Sequence, residues 1–157
     1  MYHCRNWWNL HQLHQRTINI LMKVKEILTE GLNKKDTFAI LHDFIRFAAE
    51  DLELKSLPKF DFAFDSKRSV EHKSFGGYAP GAEHITVTVK NRHINDVLRT
   101  LAHELVHFKQ DLDDELRDEN AGATGSPQEN EANARAAVIM RNWGKKHPDY
   151  FDKEAIE

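Results

Sequence analysis

With 157 residues, 40% of them hydrophobic and 30% charged, the chain has the length and balance of one globular domain rather than a disordered segment. A net charge of −3 gives no overall attraction to nucleic acid or an anionic membrane surface, and no stretch approaches the roughly 20 apolar residues of a membrane span. Cys4 is the only cysteine, which excludes an internal disulfide and a cysteine-rich metal site and fits a reducing, cytoplasmic setting.

Residues 1–21 contain no Asp or Glu, three His (His3, His11, His14) and a Trp7-Trp8 pair. Polar residues interrupt every apolar run there, so the segment fails as a signal peptide. It is expected to be an extension, with a single domain over 22–157; the other reading is a first helix with Ile18, Leu21, Val24 and Leu28 at helical spacing. A helix is expected from Asp36, as N-cap, to about Leu54, with Leu41, Ile45, Ala48 and Leu52 as its stripe and Pro58 as its stop. Phe60, Phe62 and Phe64 alternate with Asp61, Ala63 and Asp65, the pattern of a short half-buried strand. Residues 65–83 read as loop, with turns at Gly76-Gly77 and Pro80-Gly81. His84–Lys90 is the clearest strand, with Ile85, Val87 and Val89 on one face and His84, Thr86 and Thr88 on the other. A strong helix follows from near Asn95 to about Leu112, then an acidic, glycine-containing stretch, then a helix from Ser126-Pro127 to near Gly144.

His103-Glu104-Leu105-Val106-His107 reads H-E-x-x-H. Two His four apart on a helix stand one above the other, so both imidazoles can reach one ion. Glu104 is offset by roughly 100° around the axis, where a base can take a proton from metal-bound water. On the helical wheel Leu98, Leu101, Leu105, Phe108 and Leu112 gather roughly opposite the two His. One side of the helix is therefore anchored in a core while the other looks into a cleft.

A catalytic zinc takes three protein ligands and keeps one position for water. In a metzincin, Gly would stand three residues after the second His and a ligand three further on; here those positions are Gln110 and Asp113, which disfavours that pattern. The later helix offers Glu129 and Glu131. Ser126 as N-cap, Pro127 and Glu129 form a capping box, which gives the Glu129 carboxylate a local role on the N-cap amide. Glu131 has no such role, and small residues at Ala132, Ala134, Ala136 and Ala137 would let its helix approach closely. Glu131 is thus the expected third ligand and Glu129 the alternative.

His103–His107 with Asn130-Glu131-Ala132 resembles the gluzincin metallopeptidases, and the compact bacterial and phage-type domains of the ImmA/IrrE-like group. The resemblance spans roughly residues 36–144. It implies an α+β, zincin-like fold: a small mixed or antiparallel sheet packed on an active-site helix and a glutamate-bearing helix. It also implies one Zn2+ per chain and peptide-bond hydrolysis with Glu104 as general base. His84–Lys90 would be the edge strand that pairs with an extended protein or peptide substrate. Thermolysin-like gluzincins carry an Asp four residues after the ligand Glu to orient a metal-bound His; counted from Glu131 that position is Arg135, so Asp111 or the acidic loop would have to serve.

Tyr78 and His84 are candidates to stabilise an oxyanion. The acidic residues Asp111–Glu119 lack the spacing and Gly of a calcium loop, and Gly122–Gly125 is placed as a lid over the cleft. The other functional class is a zinc-bound regulatory or scaffold module without hydrolysis, which would have no need of Glu104. Neither a basic patch nor an added zinc ribbon supports a nucleic-acid partner. The compact build resembles phage-encoded peptidases, in which case the cytoplasm would be a host's.

Overall fold

The computed structural model describes residues 34–64, 74–117 and 120–149, and the segment expected to be an extension or a first helix lies outside them. Among the described residues the order is α1 (Lys34–Asp51), β1 (Lys59–Ala63), β2 (Gly76–Ala79), a 3-10 turn (Pro80–Ala82), β3 (His84–Thr88), α2 (Ile94–Leu112) and α3 (Pro127–Lys146). This is a small α+β arrangement with a mixed sheet, as expected at that level. No helix among the described residues is long and apolar enough to cross a membrane.

Helix α1 buries Ile40, Leu41, Phe44, Ile45 and Ala48 at the expected spacing. Asp36 lies within its first turn rather than capping it. Pro58 does not end the helix. Glu53 adopts a left-handed conformation (φ 53°), and the amides of Glu53 and Leu54 donate back to the carbonyls of Glu50 (3.2 Å) and Ala49 (2.9 Å). That paired closure is a Schellman motif, and it stops the helix before the proline is reached.

The strand order is β1-β3-β2, with β1 parallel and β2 antiparallel to β3. β3 is therefore the central strand and has no free edge, which corrects its expected role as the edge that receives a peptide. Ile85, Val87 and Val89 are fully buried against the helices. Gly76-Gly77, read as a turn, instead opens β2. The strand has no β-branched residue and Tyr78 as its single aromatic, and it is held by its backbone: Gly76 pairs with Val87, Gly77 with Thr86 and Tyr78 with Ile85.

Gly76 is required by proximity. A Cβ there would stand 2.4 Å from Thr100 Cγ2 and 3.0 Å from Glu104 Oε1. Thr100 cannot swing away, because its hydroxyl donates to Asp96 O (3.0 Å) and accepts from Arg92 Nη2 (2.8 Å). Gly76→Ala is expected to cost about 1–3 kcal/mol of stability through overpacking. Adding Thr100→Ser removes the clashing methyl and should recover most of that loss; urea denaturation of the two variants checks both.

Helices α2 and α3 cross the core together. Val97, Leu98, Leu101, Ala102, Leu105, Val106 and Phe108 of α2 are buried, whereas Leu112, expected in the same stripe, is exposed at its end. On α3 the buried residues are Ala132, Ala136, Ile139 and Trp143, while Ala134 and Ala137 face outward. Trp143 closes the core with its ring edge-on to Phe44 at 5.2 Å.

Candidate functional site

His103 and His107 stand one turn apart on α2, with their Nε2 atoms 3.0 Å from each other. The carboxylate that meets them belongs to Glu129, not Glu131: its oxygens lie 3.4 Å from His103 Nε2 and 3.1 Å from His107 Nε2. Glu131, the expected third ligand, is not among the side chains brought together here, and Glu129, the alternative, is. The capping box forms only by half. Ser126 Oγ accepts from the Glu129 amide (3.1 Å), but the Ser126 amide already donates to Ala123 O (2.9 Å), so the Glu129 carboxylate has no amide to fold back upon. Helical phase then decides its direction. Glu129 is three residues before Ala132 and seven before Ala136, on the buried side of α3, whereas Glu131 is exposed.

These three residues fit a zinc ion by the chemistry and spacing of their donors. Zinc binds imidazole nitrogen at about 2.0–2.1 Å and carboxylate oxygen at about 2.0–2.2 Å, so donors at tetrahedral angles stand about 3.3 Å apart. Separations of 3.0, 3.1 and 3.4 Å bracket that value. Among the described residues this is the group of His, Cys, Asp and Glu side chains that could hold a metal ion.

Each imidazole has a carboxamide neighbour. His107 Nδ1 lies 2.9 Å from Gln110 Oε1, and His103 hydrogen-bonds the side chain of Asn133. Asn133 stands four residues after Glu129, the same offset at which Arg135 follows Glu131. Asp111, the other expected partner, instead accepts from Tyr78 Oη at 2.6 Å. Burial, then the neighbouring His107, lower the pKa of His103 against the pull of Glu129 and Asn133. That favours the neutral ring, the form in which an imidazole can bind a metal.

Glu104 is only 7% exposed. Burial, and next the charge of Glu129, push its carboxyl up to about 7, while the Tyr78 amide donates a hydrogen bond that opposes the rise. A cation among His103, His107 and Glu129 would offset the Glu129 contribution and favour the carboxylate. Glu104 faces the same cleft, of about 440 Å³, as the three donor residues. β2 supplies one wall through Gly76, Gly77 and Tyr78, and Leu116, Ala121 and Gly122 line the cleft beyond α2; of the Gly122–Gly125 segment, Gly122 alone is among the lining residues.

Of the two candidate oxyanion stabilisers, Tyr78 lies in this cleft, but its hydroxyl donates to Asp111 and its ring packs edge-on to Phe108 at 5.8 Å. Burial and the Asp111 bond hold that phenol well above its ordinary pKa. His84 lines a different groove, on the opposite face of β2 and β3 with Thr86 and Thr88, and is not brought to the site. Sequence reasoning missed Gly76, Gln110 and Asn133. Comparison with protein-family models, with curated proteins and with solved structures finds no match for this chain.

Proposed function

We propose that this chain is a zinc-dependent metallopeptidase of gluzincin type, with His103, His107 and Glu129 as ligands and Glu104 as general base. The observation that carries it is the convergence of two imidazole nitrogens and a carboxylate within 3.0–3.4 Å, beside a buried glutamate in one cleft. When bound, zinc supplies Lewis acidity, making water acidic near neutral pH and drawing electron density from a carbonyl oxygen.

The chain's own residues do the rest. The peptide runs along β2, the strand that walls the cleft, with its scissile carbonyl over the three ligands. Glu104 takes the proton of the attacking water and hands it to the departing amine, held in register by the Tyr78 amide. Gly76 gives that carboxylate its room. A zinc-binding module without hydrolysis leaves Glu104 unexplained, because burying a carboxyl beside another carboxylate is costly unless the group is used. The substrate is a protein or peptide, and the setting is cytoplasmic.

The test is digestion of a mixed peptide library by the zinc-loaded protein, read by mass spectrometry. Cleavage that stops on chelation and returns with zinc supports the proposal; an intact library with zinc bound would exclude it.

A further inference from the structure

Gln110 is 2% exposed, a polar side chain set deep between α2 and α3. Its amide nitrogen donates to the Gln128 carbonyl at 3.1 Å and to Glu131 Oε2 at 3.0 Å. A backbone carbonyl and a carboxylate can only accept, so both hydrogens of the amide are committed to that side. The opposite orientation would set Oε1 against two acceptor oxygens at about the same distances, with no proton between them. The amide is therefore fixed, and Oε1 must face His107 Nδ1, which lies 2.9 Å away. Since that oxygen only accepts, His107 must carry its proton on Nδ1. In the neutral ring Nε2 then presents a lone pair toward His103 and Glu129.

We infer that Gln110 is a positioning residue that fixes His107 in the metal-binding tautomer, with Glu131 and the Gln128 carbonyl as its anchors. The helix geometry places it there. Asp114, left-handed at φ 63°, closes α2 by a Schellman motif in which the Glu115 amide donates to Gln110 O at 2.8 Å. Gln128 Nε2 in turn donates to Glu115 O at 3.2 Å, which ties the end of α2 to the start of α3, where Gln128 and Glu131 stand. Glu131 thus acts on the site through one intervening residue rather than as a ligand. The consequence for metal binding rests on the proposed zinc site, but the tautomer itself needs no metal.

The experiment is long-range 1H–15N correlation on the metal-free, 15N-labelled protein, followed by zinc affinity from competition with a chromophoric chelator. In the wild type, His107 should show the proton on Nδ1. Gln110→Met, similar in length but without an acceptor, should populate the Nε2–H form and weaken zinc binding about 10–100-fold. Glu131→Ala, at an exposed position, should weaken it less than tenfold, because the Gln128 carbonyl remains. In the Gln110→Met background Glu131→Ala should add nothing further. Nε2–H at His107 in the wild type overturns the inference even if Gln110→Met fails to fold. So does a folded Gln110→Met whose His107 tautomer is unchanged. The expected tautomers in a protein that takes up no zinc would uphold the role of Gln110 and overturn the zinc reading instead.

Discussion

Glu104→Gln is expected to keep its zinc and lose its peptidase activity. Gln has the same shape and can still accept from the Tyr78 amide, so the cleft is unchanged, but it cannot take a proton from water. General-base assistance contributes about 10²–10⁴-fold, and kcat should fall by that factor with little change in KM. The same substitution has an opposite effect on stability. In the metal-free protein the Glu104 carboxyl titrates at about 7, against an ordinary 4.5. Between those values the folded state holds a proton that the unfolded state has released. Stability is therefore full below pH 4.5 and is lost as pH rises toward 7, by up to about 3 kcal/mol. A carboxamide at this position cannot ionise, so the metal-free variant should be the more stable protein above neutral pH, by about the same amount. Urea denaturation with chelator present, at pH 5 and pH 8, reads both ends of that window. Equal stability of wild type and variant at both would show that Glu104 is not the buried acid described.

Glu129→Ala is expected to weaken zinc binding by about 10²–10³-fold, while Glu131→Ala weakens it less than tenfold. Four-ligand structural zinc sites bind with about 10–16 kcal/mol, so one ligand is worth roughly 3 kcal/mol. A residue one side chain removed from the ligand, such as Glu131 behind Gln110, is worth less. Competition with a chromophoric chelator gives both constants. The reverse order would return Glu131 to the ligand set and leave Glu129 as a cap.

Which of the two glutamates meets the imidazoles is a matter of local rule against helical phase. Ser126, Pro127 and Glu129 spell a capping box, and half of it forms. What no local rule supplies is the Ala123 carbonyl, which takes the Ser126 amide and frees the carboxylate. The phase was in the sequence nonetheless. Relative to the mean direction of Ala132, Ala136, Ile139 and Trp143, Glu129 lies roughly 50° around the helix and Glu131 roughly 110°.

The facing of α2 was legible because a long amphipathic stripe specifies one buried side, and His103, Glu104 and His107 fall on the other. β3 was legible from alternation, but its place in the sheet was not. That place depends on β2, whose sequence Gly76-Gly77-Tyr78-Ala79 has no strand signature. Its glycine signals close approach to Thr100 and Glu104, a relation between residues far apart in the chain. Gln110 and Asn133 were equally hidden. Their roles come from facing an imidazole across a helix pair or along a turn, and an amide there looks like any polar surface residue. Gln110 drew notice only as the place where a metzincin Gly is missing.

The most direct test is the zinc content of the purified wild-type chain after reconstitution and removal of excess metal, measured by elemental analysis. One zinc per chain is the expected result, held through dialysis at neutral pH and released by a strong chelator. A chain that retains no zinc would contradict the account, leaving His103, His107 and Glu129 as a cluster of polar side chains with no ion to bring them together.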